Sequence, residues 1–324
     1  MMGFSVIQPG IYSLLQDHGR FGQHSIGLTT GGPMDNQSFH WANRLCHNSP
    51  QCAAIEVTIG GLVLEATTNT SIALCGAAIP LSINKQPAAL WQTHSVKSGD
   101  RIELGFAHTG SRGYLAVAGG FQASPSFGSQ STVAREGLGG LHQDGKPLQA
   151  GDRLPCLNLK QQPPCHRLAK SQRPTLSTDN SAHCRVILGY QQQAFSAVQQ
   201  QLFFSSTYEV TDSSDRMGYR LNGPAIKPSL DGILSEGICL GAIQVPADGQ
   251  PIVLMADRQT IGGYPKIGSV LSLDLGKLAQ VTPGGTVSFE AISIEQAHNL
   301  LALNQRLFDC TEFEPVDIDK EPQS

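Results

Sequence analysis

The sequence predicts a mainly β protein with a few helices, arranged as two β-rich lobes joined by a linker. Glycine and proline number 35 and 19 in a chain of 324 residues, which is typical of many short strands and tight turns. Apolar and β-branched runs that end at glycines recur in both halves, and a polar, proline-containing stretch separates them. We therefore expect an N-terminal lobe at 1–158, a linker at 159–182, a C-terminal lobe at 183–310 and a flexible acidic tail at 311–324.

The N-terminal half contains strand patterns and one helical pattern. Residues 54–59 and 62–66 flank Gly60-Gly61, and two such runs around a Gly-Gly pair indicate a hairpin. Between 34 and 45 the apolar side chains recur at helical spacing, with Asp35 as a cap. Further strands are predicted at 70–76, 101–104 and 114–118.

The C-terminal half repeats this organisation with more helix. Gln191–Gln201 and Ser293–Leu303 both space apolar residues by three or four positions, and Ser293 is a suitable cap for the second segment. Both segments are therefore predicted to be helical. Strands are predicted at 185–188, 208–211, 252–255 and 286–290.

Composition excludes several classes of function. The formal net charge is −4, so the chain lacks the basic excess that a nucleic-acid partner requires. No stretch approaches 18 continuous apolar residues, and the N-terminus does not resemble a signal peptide, so we expect a cytoplasmic protein with no membrane partner. Paired metal-ligand spacings, a GxxxxGK[ST] phosphate loop and a Met-Lys biotinylation motif are all absent from the sequence. We expect no metal site and no covalent biotin on this chain.

Two segments combine carboxylates and guanidinium groups. Asp17 and Arg20 lie in a run of glycines, which permits close backbone approach to a ligand. Asp215 and Arg216 lie in a short polar stretch, where an arginine can grip a carboxylated ligand. For each segment, a loop or turn stabilised by an Asp–Arg contact fits the residue chemistry slightly better than a ligand site does.

A third polar segment follows the predicted strand at 252–255. Convergent polar groups on a glycine-containing loop suit a small polar ligand, although an ordinary strand-end loop remains an equal alternative. The segment comprises Asp257, Gln259, Thr260, Gly262, Gly263 and Tyr264. Gln244 ends an earlier apolar run, and the polar pair Ser235-Glu236 precedes that run.

Short motifs occur in a characteristic order from about residue 8 to residue 300. They include Gln16-Asp17-x-Gly19-Arg20, Gly31-x-x-Met34-Asp35, Arg112-Gly113-Tyr114, Ser214-Asp215-Arg216-Met217-Gly218, Ser235-Glu236, Gly241-x-Ile243-Gln244 and Asp257-x-Gln259-Thr260-x-Gly262-Gly263-Tyr264. In this order they resemble the allophanate hydrolase subunit 2 family, whose members include biotin-dependent carboxyltransferase domains and the C subunit of 5-oxoprolinase.

The resemblance implies two cyclophilin-like β-barrel lobes. For a separate chain of this length it implies a subunit of an ATP-dependent 5-oxoprolinase, a heteromeric hydrolase that converts 5-oxo-L-proline to L-glutamate. Such a chain is active only in a complex with partners that resemble the A and B subunits of that enzyme. ATP, the nucleotide cofactor, is then bound with or by those partners, and the substrate is a small-molecule amide.

The resemblance also implies roles for the polar residues. Asp257, Gln259, Thr260 and Tyr264 are catalytic candidates. The candidates for substrate binding are Asp17, Arg20, Asp215, Arg216, Gln244, Gly262 and Gly263.

Two other functions remain open at this point. The first is a non-catalytic regulatory protein that binds a partner resembling the B subunit, which is similar to a kinase inhibitor. The second is a carboxyltransferase half acting on urea or a related small amide. The sequence also departs from the family pattern at Gln130 and in the Gln143-Asp144 segment, where arginines are usual, so anion binding is expected to differ.

Overall fold

The computed structural model describes residues 2–157, 159, 162–230 and 232–316. Its strands are β1 Gly3–Pro9, β2 Tyr12–Gln16, β3 Ala54–Thr58, β4 Leu62–Ala66, β5 Thr70–Gly76, β6 Leu81–Ile83, β7 Gln86–Ala88, β8 Thr93–Val96, β9 Arg101–Leu104, β10 Arg112–Val117, β11 Arg153–Pro155, β12 His166–Arg167, β13 Ser181–Leu188, β14 Thr207–Val210, β15 Gly218–Asn222, β16 Glu236–Gly237, β17 Ala242–Gln244, β18 Ile252–Leu254, β19 Ile261–Gly262, β20 Lys266–Val270, β21 Thr286–Ile292 and β22 Glu314–Pro315. Its α-helices are α1 Asn36–Leu45, α2 Ala197–Ser205, α3 Ser272–Ala279 and α4 Ile294–Cys310.

The chain divides into two compact units. Unit 1 contains residues 1–20, 31–175 and 311–324, and unit 2 contains residues 21–30 and 176–310. The sequence predicts two consecutive lobes and therefore places residues 21–30 in the first lobe, whereas the structure assigns them to unit 2. Thr29 shows why they belong there, because its buried hydroxyl donates a hydrogen bond to the main-chain oxygen of Ala256 at 3.3 Å.

Unit 1 is built from two antiparallel sheets around a shared core. One sheet has the strand order β11-β1-β4-β9-β6-β7, and the other has the order β2-β3-β10-β5-β8. Phe4 and Leu64 from the first sheet and Ile55, Leu74 and Leu115 from the second belong to one buried apolar cluster. The inward-facing residues of both sheets therefore supply the core, as in other packed sheets.

Helix α1 packs on the second sheet. Phe39 of the helix lies edge-on to Tyr114 of β10, with ring centroids 6.0 Å apart. The Asp35 side chain accepts hydrogen bonds from the main-chain nitrogen and the hydroxyl of Ser38 at 3.2 and 2.7 Å. This contact caps the helix as predicted, and such a cap stabilises a helix by about 1 kcal/mol.

The predicted hairpin at residues 54–66 is wrong. Strand β3 pairs with β2 and β10, whereas β4 pairs with β1 and β9 in the other sheet. Ile59, Gly60 and Gly61 all have positive φ, at 66°, 130° and 83°, and a Cβ on Gly60 would lie 1.9 Å from the main-chain oxygen of Gly105. The two glycines therefore make a tight corner between sheets instead of a reversal within one.

Unit 2 is a closed barrel with the strand order β13-β20-β17-β18-β15-β14-β21. The β13–β21 pair is parallel, and the other neighbouring pairs are antiparallel. Phe203 of α2 stacks on Phe289 of β21, with ring centroids 4.6 Å apart. The small two-stranded sheet of β16 and β19 lies outside the barrel ladder and carries Glu236 and Gly262 as a pair. The mainly β fold with a few helices is confirmed.

The helices of unit 2 differ from the prediction in their bounds. The segment predicted at 191–201 is a short 3-10 turn followed by α2, which begins after the cap Ser196. Helix α4 begins at Ile294, after the Ser293 cap, and continues to Cys310, seven residues beyond the expected end. Helix α3 was not predicted, because its eight residues are too few to show a clear period.

The predicted linker and tail contain ordered pairing in their described parts. His166–Arg167 pair with Glu314–Pro315, and the main-chain nitrogen of Leu168 donates to the main-chain oxygen of Trp91. Main-chain hydrogen bonds do not require apolar periodicity, so polar, proline-containing segments can pair without a strand pattern. Residues 317–324 of the predicted tail and three predicted linker or boundary positions, Asn158, Lys160 and Gln161, lie outside the described residues.

Candidate functional site

Two loops of unit 2 are joined by a buried ion pair. Arg216 Nε and Nη2 donate to the two carboxylate oxygens of Asp257 at 2.8 and 2.9 Å. The side chains are only 7% and 4% exposed, and the main-chain nitrogen of Asp257 donates to the Arg216 oxygen at 2.8 Å. The structure thus brings these two predicted site residues together. A bidentate, buried pair of this kind fixes both loops, because neither charge can be exposed without breaking two charge-assisted hydrogen bonds.

Asp215 precedes this arginine but has a different environment. Its Oδ1 accepts hydrogen bonds from the main-chain nitrogens of Met217 and Gly218 at 2.8 and 3.2 Å, and its side chain is not buried. The carboxylate therefore closes the turn that leads into β15, and it remains accessible at the edge of a cavity.

A cavity of about 550 Å³ opens on one side of the barrel. This volume is within the usual range for small-molecule sites. Four predicted site residues line it, namely Asp215, Gln244, Gln259 and Tyr264, and other polar contributors to the wall are Thr211, Ser213, Arg220, Asn222, Asp248 and Gln250. Carboxylate, amide, hydroxyl and guanidinium groups meet in one small concavity, so it suits a compact polar ligand better than an apolar one.

Gln244 is a wall residue with an unusual environment. It is 2% exposed, and its Nε2 has no hydrogen-bond partner among the described residues. A Cβ on Gly262 would lie 2.5 Å from that nitrogen and 2.4 Å from Ile238 Cδ1. Gly262 therefore provides the space that the Gln244 amide occupies. Buried donors are nearly always paired in proteins, so an unpaired one is a candidate ligand contact.

The remaining predicted residues of this segment lie on the same strand–turn–strand region. Tyr264 is 44% exposed, and Gln259 and Thr260 are partly buried. Thr260 accepts a hydrogen bond from the main-chain nitrogen of Ile238 through its main-chain oxygen. Gly263 does the same for Ile233, at 2.9 Å. The backbone here is thus anchored while the side chains of Gln259 and Tyr264 reach the cavity.

A second polar cluster of unit 2 surrounds Glu236, which is not among the predicted site residues. Glu236 Oε1 accepts hydrogen bonds from Lys266 Nζ, from the Tyr190 hydroxyl and, at 2.8 Å, from Gln191 Nε2. The hydrogen bond from Lys266 holds the pKa of Glu236 below its ordinary value, and the hydrogen bond to Glu236 raises the pKa of Tyr190. Only the Ser235-Glu236 motif marked this region in the sequence, because the partners are 30 to 46 positions away.

Arg258 adds a cationic group to this part of unit 2. Its side chain is 5% exposed, and its Nε donates to the main-chain oxygen of Ile238 at 3.3 Å. Burial lowers the pKa of the guanidinium. The residue was not a predicted site residue, since an isolated arginine beside an aspartate does not stand out in the sequence.

Asp17 and Arg20 belong to unit 1, and the other predicted site residues belong to unit 2. Asp17 Oδ1 accepts from the hydroxyls of Ser129 and Ser131 at 2.6 Å each, and Oδ2 accepts from the main-chain nitrogen of Gln130 at 2.6 Å. Arg20 Nη2 donates to the main-chain oxygen of Ser131 at 2.9 Å. Both side chains are buried, so they anchor the 126–131 segment instead of forming a solvent-exposed loop.

Gln130 occupies the position where an arginine was expected. Its Oε1 accepts a hydrogen bond from the main-chain nitrogen of Ala123 at 2.6 Å. The amide thus ties two loop segments of unit 1 together through a neutral contact. A guanidinium group has no acceptor and could not make this contact.

Neither a metal-ligand cluster nor a membrane span occurs in the described ranges. In 2–157, 159, 162–230 and 232–316, no three His, Cys, Asp or Glu side chains group in a way that could hold a metal ion. None of the helices in those ranges combines the length and apolar character that a membrane span requires.

The chain is similar to proteins of known family along most of its length. Residues 26–291 match the carboxyltransferase domain family, subdomains A and B. The chain is 35% identical over 311 residues to the C subunit of 5-oxoprolinase from Escherichia coli (strain K12), a match covering 94% of this chain and 96% of that protein. It is 33% identical over 324 residues to urea amidolyase of Lachancea kluyveri, covering 92% of this chain but 17% of that protein.

One solved structure has a fold similar to that of this chain. The crystal structure of urea amidolyase from K. lactis superposes with a TM-score of 0.88 at 30% identity. The match covers 99% of this chain, which spans about a fifth (21%) of that longer chain.

Proposed function

This chain belongs to the carboxyltransferase domain family with subdomains A and B, and from this premise we propose that it is a subunit of an ATP-dependent complex that hydrolyses 5-oxo-L-proline to L-glutamate. One observation supports this choice above the others. The match to the C subunit of 5-oxoprolinase covers nearly all of both chains, whereas the match to urea amidolyase uses a small part of a longer protein. This sequence is thus collinear with nearly the whole of a 5-oxoprolinase C subunit.

The chemistry of a lactam explains what such a subunit must provide. The ring amide is a poor electrophile, so ATP is used to phosphorylate the amide oxygen and create a leaving group. Charge then develops on oxygen atoms that need hydrogen-bond donors in fixed positions. The cavity of unit 2 offers the amide groups of Gln244 and Gln259 and the hydroxyl of Tyr264 for this purpose. We expect ATP to be bound by partner proteins, because this sequence lacks a GxxxxGK[ST] loop.

The buried ion pair of Arg216 and Asp257 has a supporting role in this proposal. It holds the loops that precede β15 and follow β18 at a fixed distance. Since Gln259 lies two residues beyond Asp257, the pair determines where the cavity side chains stand. We therefore assign Asp257 and Arg216 to positioning of the site, with Gln259 and Tyr264, which line the cavity, nearer to the ligand.

Carboxyl transfer to urea or a related small amide is the second candidate. The name of the matching family and the urea amidolyase relatives favour it. Carboxybiotin would then be delivered by another chain or domain. Both candidates place a small polar amide in the cavity, so a test must separate them by the second substrate, ATP or carboxybiotin.

Reconstitution of the complex distinguishes the two candidates. The chain is purified alone and together with the A-like and B-like partner proteins encoded by its source, and glutamate formation from 5-oxo-L-proline is measured with and without ATP. We expect turnover only with all components and ATP. Full activity of the partners without this chain, or carboxylation of urea from carboxybiotin in place of glutamate formation, would contradict the proposal.

Variants link that activity to the cavity. Gln259→Met and Tyr264→Phe remove hydrogen-bonding groups with little change in size, and each is expected to lower turnover at least tenfold. Gln305→Met is the matched control, because Gln305 is exposed on α4 and is not a cavity residue. Wild-type turnover in both cavity variants would show that the ligand binds elsewhere.

A further inference from the structure

The carboxylate of Glu236 is held at one oxygen and open at the other. Oε1 accepts three hydrogen bonds, from Lys266, Tyr190 and Gln191. Oε2 accepts none from any residue in the described part of the chain, and the side chain is 31% exposed. Three donors on one oxygen fix the direction of the carboxylate, and the other oxygen is left as a strong hydrogen-bond acceptor.

An unused donor lies on the strand that pairs with the strand of Lys266. Gln244 Nε2 is buried and has no partner among the described residues. Gln244 is the cross-strand partner of Lys266, whose ammonium binds Glu236. Gly262, the pairing partner of Glu236, lies so close to Gln244 that a Cβ would meet Nε2 at 2.5 Å. Gln244 and Glu236 are therefore both neighbours of Lys266 and Gly262.

A donor beside an acceptor complements an amide that presents its N–H and C=O on one side. In a trans secondary amide these two groups point in opposite directions. A lactam ring holds the amide in the cis form, so its N–H and C=O lie side by side and can be bound together. Because buried donors without partners are disfavoured, such a ligand would also satisfy Gln244.

We propose that Glu236 and Gln244 form a subsite for the amide edge of a lactam, in which Glu236 Oε2 accepts the ring N–H and Gln244 Nε2 donates to the ring carbonyl. Lys266 and Tyr190 are positioning residues for Glu236. The choice of 5-oxo-L-proline as the lactam rests on the proposed function. The Gln244 contact then falls on the carbonyl oxygen that has to be activated.

Binding selectivity tests the subsite directly. Calorimetric titrations of this chain, alone and in the reconstituted complex, compare 5-oxo-L-proline with 5-oxotetrahydrofuran-2-carboxylate, the lactone in which a ring oxygen replaces N–H. The third ligand is N-methyl-5-oxo-L-proline, which lacks the ring N–H and therefore tests the same contact without a protein variant. We expect wild type to bind the lactam at least tenfold more tightly than the lactone or the N-methyl compound.

Two variants should separate the two contacts. Glu236→Gln keeps an oxygen for the three donors and turns an NH₂ group toward the ligand, so lactam affinity should fall at least tenfold while lactone affinity stays the same or rises. Gln244→Met removes the carbonyl donor and should weaken both ligands to a similar degree. Glu290→Gln and Gln305→Met, both at exposed positions, are the matched controls and should change neither affinity.

The possible results are distinct. Equal binding of lactam and lactone by wild type, no binding of either in both preparations, or a parallel loss of both ligands in Glu236→Gln would overturn the subsite. If the complex makes glutamate but the lactam preference is absent, the subsite fails and the proposed function stands. If the predicted selectivity is found but no glutamate forms, the subsite stands and the proposed function fails.

Discussion

Replacing Asp257 with alanine should destabilise unit 2 strongly, independently of any role in chemistry. The substitution leaves Arg216 only 7% exposed and without the two hydrogen bonds of 2.8 and 2.9 Å that its guanidinium donates to the carboxylate. Breaking a buried pair on one side costs about 3–5 kcal/mol, which is a large part of the total stability of a typical domain.

The assay must report on unit 2 and not on the whole chain. Both tryptophans, Trp41 and Trp91, belong to unit 1, so tryptophan fluorescence would follow the wrong unit. Hydrogen exchange of peptides covering residues 252–260, measured by mass spectrometry, follows the loop that carries Asp257. A loss of about 3–5 kcal/mol in local stability corresponds to exchange that is faster by roughly two to four powers of ten.

Two further variants complete this test. Glu290→Ala is the matched control, because Glu290 pairs with His183 at the surface, with both side chains more than half exposed, and exposed pairs contribute at most about 1 kcal/mol. The double variant Arg216→Met, Asp257→Leu should recover most of the loss, since apolar replacement of both partners leaves no buried charge. Exchange in Asp257→Ala that stays within tenfold of wild type would refute the reasoning.

Three other perturbations have equally definite outcomes. Burial raises the pKa of Asp274, but hydrogen bonds from Arg185 and a neighbouring lysine outweigh this effect and lower the pKa. Asp274→Asn should therefore lower the free energy of unfolding by about 3 kcal/mol at pH values above the ordinary carboxyl pKa of about 3.9. Urea unfolding should show this difference between wild type and variant vanishing as the pH falls through the pKa of Asp274 in the folded state. A difference that does not change with pH would contradict the prediction. Asp17→Asn replaces an acceptor of several hydrogen bonds and should lower the stability of unit 1 by roughly 2 kcal/mol or more, followed by tryptophan fluorescence; an unchanged unfolding midpoint would contradict the network. Gly262→Ala should displace the Gln244 amide, with a cost of about 1–3 kcal/mol in thermal unfolding and a loss of 5-oxo-L-proline affinity, whereas unchanged binding would show that the amide is not a ligand contact.

Local patterns predicted the fold class and helix α1 correctly because their causes are local. The Asp35 cap acts on Ser38, three residues away, and the apolar period places Phe39 on the sheet. The predicted hairpin at 54–66 failed for the opposite reason. A Gly-Gly pair permits positive φ in any tight corner, and only long-range pairing decides whether the next strand returns to the same sheet.

The candidate site was predictable only in part. The residues from Asp257 to Tyr264 attracted attention because several polar groups and glycines fall within one short segment. The Glu236 cluster has no such density, since Lys266 is 30 positions away and the strand that carries Glu236 has two residues. Likewise, the partner that engages Asp257 is 41 positions away, so the sequence could not show that the carboxylate binds an arginine of its own chain.

Comparison of the two carboxylates indicates where a ligand N–H would bind. Both oxygens of Asp257 accept hydrogen bonds from Arg216, and its side chain is 4% exposed. Glu236 concentrates its donors on one oxygen and is 31% exposed. A ligand that bound Asp257 would have to displace a buried guanidinium, whereas the open oxygen of Glu236 needs no such rearrangement. Activity lost in Asp257 variants should therefore follow loop stability and return in the double variant, while Glu236→Gln should change ligand preference without a comparable change in hydrogen exchange.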